Sequence, residues 1–254
     1  MILDSFKLDG RVAIVTGGHR GLGQAAALAL AEAGADVAVL DFGDASETVA
    51  AVEALGRRAL FAQIDLIAAT PAEIDAAVAD VAERLGGVDI LVNNAGIIRR
   101  TPAAEHAARD WDEVIAINQT ALFHLCQAAG RLMLAQGHGK IINIASMLSF
   151  QGGITVPGYA ASKHAVAGIT KALANEWAGR GVGVNAIAPG YMSTDNTAAL
   201  RADEARNSAI LDRIPAGRWG VPADLAGTFV YLASPASDYL AGAIIPVDGG
   251  WLVR

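Results

Sequence analysis

A chain of 254 residues that is 53% hydrophobic and only 18% charged is not a disordered protein, which would be polar and highly charged. Its 19 Lys and Arg residues against 26 Asp and Glu residues give a net charge of −7, which disfavours nucleic acid and anionic membranes as partners. Cys126 is the only cysteine, which excludes an intramolecular disulfide and a Cys-cluster metal site. No apolar run is long enough to span a membrane, and residues 1–11 lack the apolar segment of a signal peptide, so we expect a cytoplasmic protein.

Short apolar runs alternate along the chain with Ala-rich stretches that have helical spacing. The apolar runs predict strands at residues 11–15, 36–40, 60–64, 90–92, 140–144, 184–187 and 244–247. The stretches between them predict helices at residues 23–34, 46–55, 72–85, 111–136, 160–179 and 222–232. Such alternation is typical of βαβ units, so we expect one α/β domain over residues 1–254, a Rossmann-like doubly wound parallel sheet with helices on both faces.

One segment, residues 191–220, departs from this alternation. It is rich in Arg and Asp and contains only short helical patterns. A long polar insertion in an otherwise apolar chain is typical of a functional loop, so we expect residues 191–220 to form a substrate loop.

A glycine-rich turn follows the first predicted strand. Gly17, Gly21 and Gly23 allow a tight turn and a close approach of the backbone to a pyrophosphate, and the helix that follows offers free N–H groups. The spacing is G-x3-G-x-G rather than G-x-G-x-x-G, and a purely structural turn is the alternative. The strand–turn–helix context favours a dinucleotide site.

Two charged residues give opposite indications about the dinucleotide. Asp41 ends the second predicted strand, where an acidic side chain accepts hydrogen bonds from a ribose 2′-OH and repels a 2′-phosphate. Arg20, beside the second glycine, could pair with that phosphate. An anion against a phosphate is costly, whereas Arg20 can turn into solvent, so the sequence favours NAD over NADP.

Five motifs in chain order connect this turn to a known family. They are Thr16-Gly17-x-x-x-Gly21-x-Gly23, Asn93-Asn94-Ala95-Gly96, Ser146, Tyr159-x-x-x-Lys163 and Pro189-Gly190. In this order and at these intervals they resemble the short-chain dehydrogenase/reductase family over the whole chain. The resemblance implies a nicotinamide-dependent oxidoreductase. It also implies a homotetramer in which the helices at 111–136 and 160–179 pair across a subunit interface.

The resemblance implies a catalytic tetrad of Asn118, Ser146, Tyr159 and Lys163. Tyr159 and Lys163 are four residues apart on a predicted helix, so they share one face. A tyrosine is too weak an acid to act as a base at neutral pH, but a nearby ammonium favours its phenolate. Ser146 would then bond the substrate oxygen. In the family, an Asn at the position of Asn118 interrupts its helix and relays protons through water.

The same resemblance implies further cofactor contacts at the carboxyl ends of the strands, where ligands bind in open α/β sheets. Asp65 resembles the Asp that contacts adenine, and a helix N-cap is the alternative reading. Thr194 matches the Thr that holds the nicotinamide carboxamide. The complete predicted cofactor set is Gly17, His19, Arg20, Gly21, Leu22, Gly23, Asp41, Asp65, Leu66, Asn94, Ala95, Gly96, Tyr159, Lys163, Pro189, Gly190 and Thr194.

Segments at 144–153, 211–220 and 248–252 resemble a branch of the family that interconverts a hydroxyl and a ketone on keto-deoxy sugar acids. Arg99 and Arg100 follow the 93–96 motif, and a guanidinium binds a carboxylate through two parallel hydrogen bonds. The hydroxyl groups of such a substrate could form hydrogen bonds with the side chains of Gln151, Asn196 and Arg218. The alternative for each arginine is a salt bridge on the surface or at a subunit interface.

Three other functions stay open at this point. A branch that acts on gluconate would use the same catalytic residues. A reductase of carrier-protein-bound 3-oxoacyl groups would prefer NADPH and a basic docking patch, which Asp41 and the net charge of −7 disfavour. A dinucleotide-sensing regulator without catalysis would not need Tyr159 and Lys163. The sequence predicts no metal site, because it has no clustered His or Cys ligands.

Overall fold

A computed structural model, which describes all 254 residues, contains one parallel sheet of seven strands in the order β3-β2-β1-β4-β5-β6-β7. The strands are β1 Val12–Thr16, β2 Asp36–Asp41, β3 Ala59–Gln63, β4 Ile90–Asn93, β5 Gly139–Ile144, β6 Val182–Pro189 and β7 Ile244–Val247. The strand order reverses between β1 and β4, where ligands bind in open α/β sheets. The predicted fold class, a doubly wound parallel sheet, is confirmed.

Nine α-helices connect the strands or extend the loops between them. They are α1 Gly21–Glu32, α2 Ser46–Ala54, α3 Pro71–Leu85, α4 Ala108–Ile115, α5 Leu122–Gln136, α6 Pro157–Trp177, α7 Ala198–Ala202, α8 Glu204–Leu211 and α9 Ala226–Ala233. Each predicted helix is present, although 111–136 is divided and 222–232 begins with a 3-10 turn at Pro222–Leu225. None of these helices has the length and apolar character that a membrane crossing requires.

The hydrophobic core lies on both faces of the sheet. Alternate residues of a strand point to opposite faces, so Ile14 packs in one cluster and Val15 in the other. The cluster around Ile14 includes residues of α3, α5 and α6, and the cluster around Val15 includes Leu30 of α1 and Phe229 of α9. Strands buried on both faces explain why the sequence shows continuous apolar runs rather than alternation.

The predicted helix at 111–136 is interrupted by a π-helical segment, Ala116–Ala121, between α4 and α5. A π-turn widens the helix locally and occurs often at functional sites. The interruption lies at Asn118, which is fully buried. The expectation that Asn118 interrupts its helix is therefore met.

The polar segment 191–220 forms α7 and α8 and returns to its starting point. The Ser193 amide donates to the Gly220 carbonyl (2.7 Å), and the Gly220 amide donates to the Tyr191 carbonyl (2.9 Å). Between these ends, Ile210 and Ile214 pack with Met147 and Trp251 in a small hydrophobic cluster of their own. The segment is thus closed at its base and rests on the turn after β5.

Candidate active site

The glycine turn connects β1 to α1 and leaves room only for backbone. Gly17 and Gly21 have φ angles of +64° and +59°, in the left-handed region that favours glycine. A Cβ atom added at Gly23 would lie 2.0 Å from the Gly17 carbonyl oxygen. No side chain caps the start of α1, so its first N–H groups are available to an anion. This cradle fits the pyrophosphate of a dinucleotide.

The loop after β4 is joined to the glycine turn by hydrogen bonds. The Asn94 side chain donates to the carbonyls of Thr16 (3.0 Å) and Gly17 (2.9 Å). The Thr16 hydroxyl accepts from the amides of Asn94 and Ala95, both at 3.0 Å. The structure therefore brings the predicted residues Asn94 and Ala95 against the turn, where Asn94 fixes its backbone.

Asp41 ends β2 beside the glycine turn and is 6% exposed. Its carboxylate accepts from the amides of His19 and Gly43, both at 3.0 Å, and lies 2.7 Å from His19 Nδ1. The side chain is thus held at the strand end and covered by the half-buried His19. The structure places both residues together, as the cofactor prediction requires.

Asp65 and Leu66 follow β3 at the same sheet edge. The Asp65 carboxylate accepts from the Ile67 amide (2.9 Å), and its carbonyl accepts from the amides of Ala68 and Ala69. Asp65 is exposed and Leu66 is buried in the core. Asp65 therefore caps a turn through one carboxylate oxygen. Its other carboxylate oxygen does not take part in the bond to Ile67.

The predicted catalytic residues Ser146, Tyr159 and Lys163 meet at the carboxyl end of β5. The Lys163 ammonium donates to the Ile144 carbonyl (2.6 Å) and lies 5.5 Å from the centre of the Tyr159 ring. The turn that carries Ser146 is fastened to α6, because the Ser149 hydroxyl donates to the Lys163 carbonyl (2.7 Å). These bonds fix the serine relative to the helix that carries the other two residues.

Burial changes the acid–base character of this group. It raises the pKa of the Tyr159 phenol, while a hydrogen bond with Ser146 and the charge of Arg100 act in the opposite direction. Burial also lowers the pKa of the Lys163 ammonium to about 8. Ser146 and Arg100 thus favour the phenolate that a general base at this position needs.

The Asn118 side chain is fully engaged within the protein. Its oxygen accepts from the Ile97 amide (2.9 Å), and its nitrogen donates to the Ile97 carbonyl (3.0 Å) and the Ser162 hydroxyl (3.1 Å). These bonds join the loop after β4 to α6. Asn118 therefore holds two parts of the site together, and its predicted role in a water relay stays a prediction.

The predicted residues after β6 face the glycine turn. A Cβ added at Gly190 would lie 2.5 Å from the Asp248 backbone, so this position also requires glycine. A Cβ added at Gly21 would be 4.0 Å from the Thr194 side chain. Arg20 and Asp195 form an exposed ion pair at 2.9 Å. Thus Thr194 and Asp195 close one side of the cleft above α1.

The predicted substrate residues divide into two groups. Arg99 is paired with Glu113 (2.7 Å) and lies 3.7 Å from Asp110, and Arg218 forms two bonds to Asp224 (2.7 and 2.8 Å). Each of these two guanidiniums therefore already has a carboxylate partner, as the salt-bridge alternative describes, and their role in substrate binding stays a prediction.

The other three predicted substrate residues lie near the catalytic centre. Arg100 has no carboxylate within ion-pair distance and donates to the Asn196 carbonyl (3.3 Å). Gln151 accepts a bond from Arg213 (3.4 Å). Arg100 and Asn196 are therefore in contact at the mouth that the catalytic group implies, and Gln151 contacts Arg213.

Sequence reasoning did not select Tyr191, Arg206, Arg213 and Trp251, which surround this mouth. Burial raises the pKa of Tyr191, and the charges of Arg206, Arg213 and Arg100 act in the opposite direction. The polar composition of 191–220 signals the segment but not which of its arginines face inward. That depends on ion pairs with residues distant in sequence.

The chain belongs to the short-chain dehydrogenases, oxidoreductases that act on CH–OH groups. The family model described as short chain dehydrogenase matches residues 11–205. The predicted family resemblance is therefore confirmed.

Three similar proteins narrow the comparison. The 2-dehydro-3-deoxy-D-gluconate 5-dehydrogenase of Escherichia coli (strain K12) is 57% identical over 257 residues, which cover 100% of both chains. A protein from Agrobacterium tumefaciens, crystallised with bound NADP, is 54% identical with a TM-score of 0.93 and covers 99% of this chain and 100% of its own. A gluconate 5-dehydrogenase from Burkholderia cenocepacia J2315, in complex with NADP and tartrate, is 41% identical with a TM-score of 0.95 over 100% of both chains.

Proposed function

We propose that the protein is an NAD-dependent dehydrogenase that interconverts a secondary alcohol and a ketone on a keto-deoxy sugar acid, 2-dehydro-3-deoxy-D-gluconate. The observation that carries this proposal is the grouping of Tyr159, Ser146 and Lys163 at the same sheet edge as the glycine turn. The 57% identical relative of that name supports the substrate. In this proposal residues 1–254 form one domain and residues 191–220 its substrate loop.

The chain's own residues handle the proton and orient the substrate. The Tyr159 phenolate takes the proton of the substrate hydroxyl, and Ser146 bonds the same oxygen. Lys163 stabilises the phenolate and bonds the nicotinamide ribose, and Asn118 supports a water relay for the proton. The nicotinamide cofactor supplies the hydride acceptor when it is bound.

The cofactor site in this proposal comprises the residues predicted from the sequence. The glycine turn holds the pyrophosphate, Asp65 and Leu66 meet the adenine, and Pro189, Gly190 and Thr194 meet the nicotinamide. NADP in the two crystallised relatives supports a nicotinamide cofactor. We propose NAD because the buried Asp41 carboxylate lies where a 2′-phosphate would have to be accommodated.

We extend the proposal to a homotetramer in the cytoplasm, with neither nucleic acid nor membrane as a partner. Trp111 on α4 and Phe123 on α5 are 41% and 38% exposed, and such apolar surface supports a subunit contact. Sedimentation velocity tests the assembly. A monomer that persists at high protein concentration would contradict it.

The direct test measures NADH formation by absorbance. Purified protein is given NAD or NADP with 2-dehydro-3-deoxy-D-gluconate, 2-deoxy-D-gluconate or D-gluconate. We expect the deoxy acids to be oxidised fastest, with NAD. Faster turnover of gluconate would favour the gluconate branch. If none of the three acids is oxidised although the protein still binds NAD, the sugar-acid substrate is wrong. The catalytic group would then have no assigned substrate.

A further inference from the structure

A few arginines that lack a carboxylate partner lie in one part of the protein. Acidic residues are in excess, 26 against 19 basic ones, and most arginines pair with a carboxylate, as Arg99 and Arg218 do. Arg100, Arg206 and Arg213 have no carboxylate within ion-pair distance. Arg213 bonds Gln151 on the turn after Ser146, Arg100 bonds the Asn196 carbonyl, and the charges of all three act on the pKa of Tyr191. An acidic protein that keeps three free guanidiniums at one cleft is suited to an anionic ligand.

Arg213 lies over an aromatic ring, unlike the other two arginines. Its guanidinium carbon lies 4.0 Å from the centre of the Trp251 ring. Trp251 is only 6% exposed and packs edge-on against Tyr191, with ring centres 4.7 Å apart. A guanidinium stacked on an aromatic face keeps its in-plane N–H groups directed outward.

A second contact ties Arg213 to the catalytic turn. Its Nη2 donates to the Gln151 side-chain oxygen at 3.4 Å. The Gln151 amide donates to the Met147 carbonyl (3.2 Å), and Met147 directly follows Ser146 and packs in the same cluster as Trp251. Arg213 is therefore held at a defined position relative to the turn that carries Ser146.

Arg100 lies on the loop after β4 and donates to the carbonyl of Asn196 (3.3 Å), which belongs to the same segment 191–220 as Arg213. Its charge acts against the burial that raises the pKa of Tyr159 and of Tyr191, whereas the charge of Arg213 acts in this way on Tyr191 alone. In a sugar acid oxidised at carbon 5, the carboxylate at carbon 1 lies at the end of the molecule remote from the reacting carbon.

We propose that Arg213, stacked on Trp251 and oriented by Gln151, binds the carboxylate of the sugar acid, while Arg100 bonds the hydroxyl groups nearer Tyr159. This inference rests on the proposed sugar-acid function and adds a specificity residue to it. The subsite selects acids over neutral sugars of the same shape, since a bidentate guanidinium bond to a carboxylate has no equivalent in a neutral group.

The test compares the oxidation of the acid with that of its primary amide, at saturating NAD, by wild type and by Arg213→Gln. We expect Arg213→Gln to raise the KM for 2-dehydro-3-deoxy-D-gluconate about 10- to 100-fold, with kcat within about twofold, because the lost bond is made in the ground state and transition state alike. The KM for the amide should be unchanged. Arg213→Lys should recover only part of the loss, because an ammonium cannot form the planar pair.

Arg180→Gln is the matched control, since Arg180 is an exposed arginine without a carboxylate partner beside the start of β6, at the opposite edge of the sheet. It removes the same charge and should leave both KM values unchanged. If wild type oxidises the acid and Arg213→Gln does so with an unchanged KM, the inference is wrong. It is equally wrong if Arg100→Gln, rather than Arg213→Gln, gives the loss specific to the acid. Failure of wild type to oxidise the acid would instead contradict the proposed function.

Discussion

The two sides of the candidate active site differ in what holds them in place. The cofactor side is built from backbone: Asn94 bonds the Thr16 and Gly17 carbonyls, and Gly23 packs directly on Gly17. The substrate side is built from exposed side chains of the segment 191–220, such as Arg213, which lies over the Trp251 ring. It rests on the small separate cluster of Met147, Ile210, Ile214 and Trp251 rather than on the two large clusters beside the sheet.

This difference determines which side of the site can change its residues while the fold is kept. A nicotinamide dinucleotide has the same pyrophosphate and nicotinamide in every enzyme that uses it, so the site for these parts can belong to the close-packed interior. A substrate side made of surface side chains can be changed without cavities or buried charges, since substitutions there leave the sheet and the core clusters intact.

The largest expected effect comes from Tyr159, which lies between the two sides. Tyr159→Phe removes only the hydroxyl that takes the substrate proton in the proposed function, so kcat should fall about 1,000-fold. NAD affinity and thermal stability should change little, because the ring still fills its place on α6. Steady-state kinetics and calorimetric NAD titration measure the two effects. Tyr239→Phe, at a fully exposed position, is the control. Residual activity within tenfold of wild type would contradict the role of Tyr159 as acid and base.

Gly23→Ala should damage the cofactor side without touching the substrate side. The new Cβ would lie 2.0 Å from the Gly17 oxygen and 2.5 Å from the Asn94 side-chain nitrogen, so the turn must open. We expect NAD binding to be lost and the free energy of unfolding to fall by about 3 kcal/mol, the upper range for overpacking. Urea unfolding and NAD titration measure both.

The control for that prediction is Gly227→Ala, at a helical glycine where an added Cβ meets no atom within 4 Å. It should leave NAD binding unchanged and raise stability by about 0.5–1 kcal/mol, because Ala favours the helix more than Gly does. Equal NAD affinity in Gly23→Ala and Gly227→Ala would mean that the turn tolerates a side chain.

The sequence was sufficient to predict the strand, turn and helix of the cofactor side and insufficient to predict the side-chain contacts of the substrate side, for one physical reason. Strand, turn and helix signals act over a few neighbouring residues, and the Gly17–Gly23 turn lies within one such window. Arg99 and Arg100 are adjacent in sequence, but Arg99 pairs with Glu113 and Arg100 bonds the Asn196 carbonyl. Which of the two faces the substrate depends on how α4 packs, and no local pattern specifies that.

The π-helical segment Ala116–Ala121 illustrates the same limit within a helix. Apolar spacing over 111–136 fits one continuous helix, and it contains no Pro or other break signal at Asn118. The widening accompanies the bonds between Asn118 and Ile97, a residue that belongs to another loop. Only the family resemblance pointed to an interruption there.

A substitution of Lys163 tests whether the buried catalytic group lowers the free energy of unfolding. Burial lowers the pKa of the folded-state Lys163 ammonium to about 8 from its ordinary value of 10.5, so between these values the unfolded chain binds more protons and wild-type stability rises with pH. Lys163→Met removes the buried charge but also the bond to the Ile144 carbonyl. We expect it to be more stable than wild type by about 2 kcal/mol near neutral pH and to lose turnover.

The pH dependence makes that prediction specific. The stability gap should be fully present below about pH 8 and should close as pH rises towards 10.5, because wild-type Lys163 becomes neutral in the folded state. Urea unfolding across this window measures it. Lys171→Met, at an exposed position on the same helix, should show no such trend. A gap that is independent of pH would mean that burial of the ammonium is not its cause.

The smallest expected effect concerns Asp41, where the cofactor side meets a choice between two ligands. Its carboxylate is bonded by the amides of His19 and Gly43 and covered by the His19 ring, so the strand end that faces the ribose is negative and nearly closed. Asp41→Ala removes the repulsion of a 2′-phosphate and leaves Arg20 to pair with it. The ratio of kcat/KM for NADP over NAD should therefore rise about tenfold, as expected for the loss of one unfavourable charge contact. His19→Ala is the companion variant: it uncovers Asp41 but keeps the negative charge, so NAD preference should be retained or increased. A matching shift towards NADP in His19→Ala would mean that the imidazole, rather than the carboxylate, sets the preference. The cofactor side would then depend, like the substrate side, on a partly exposed side chain.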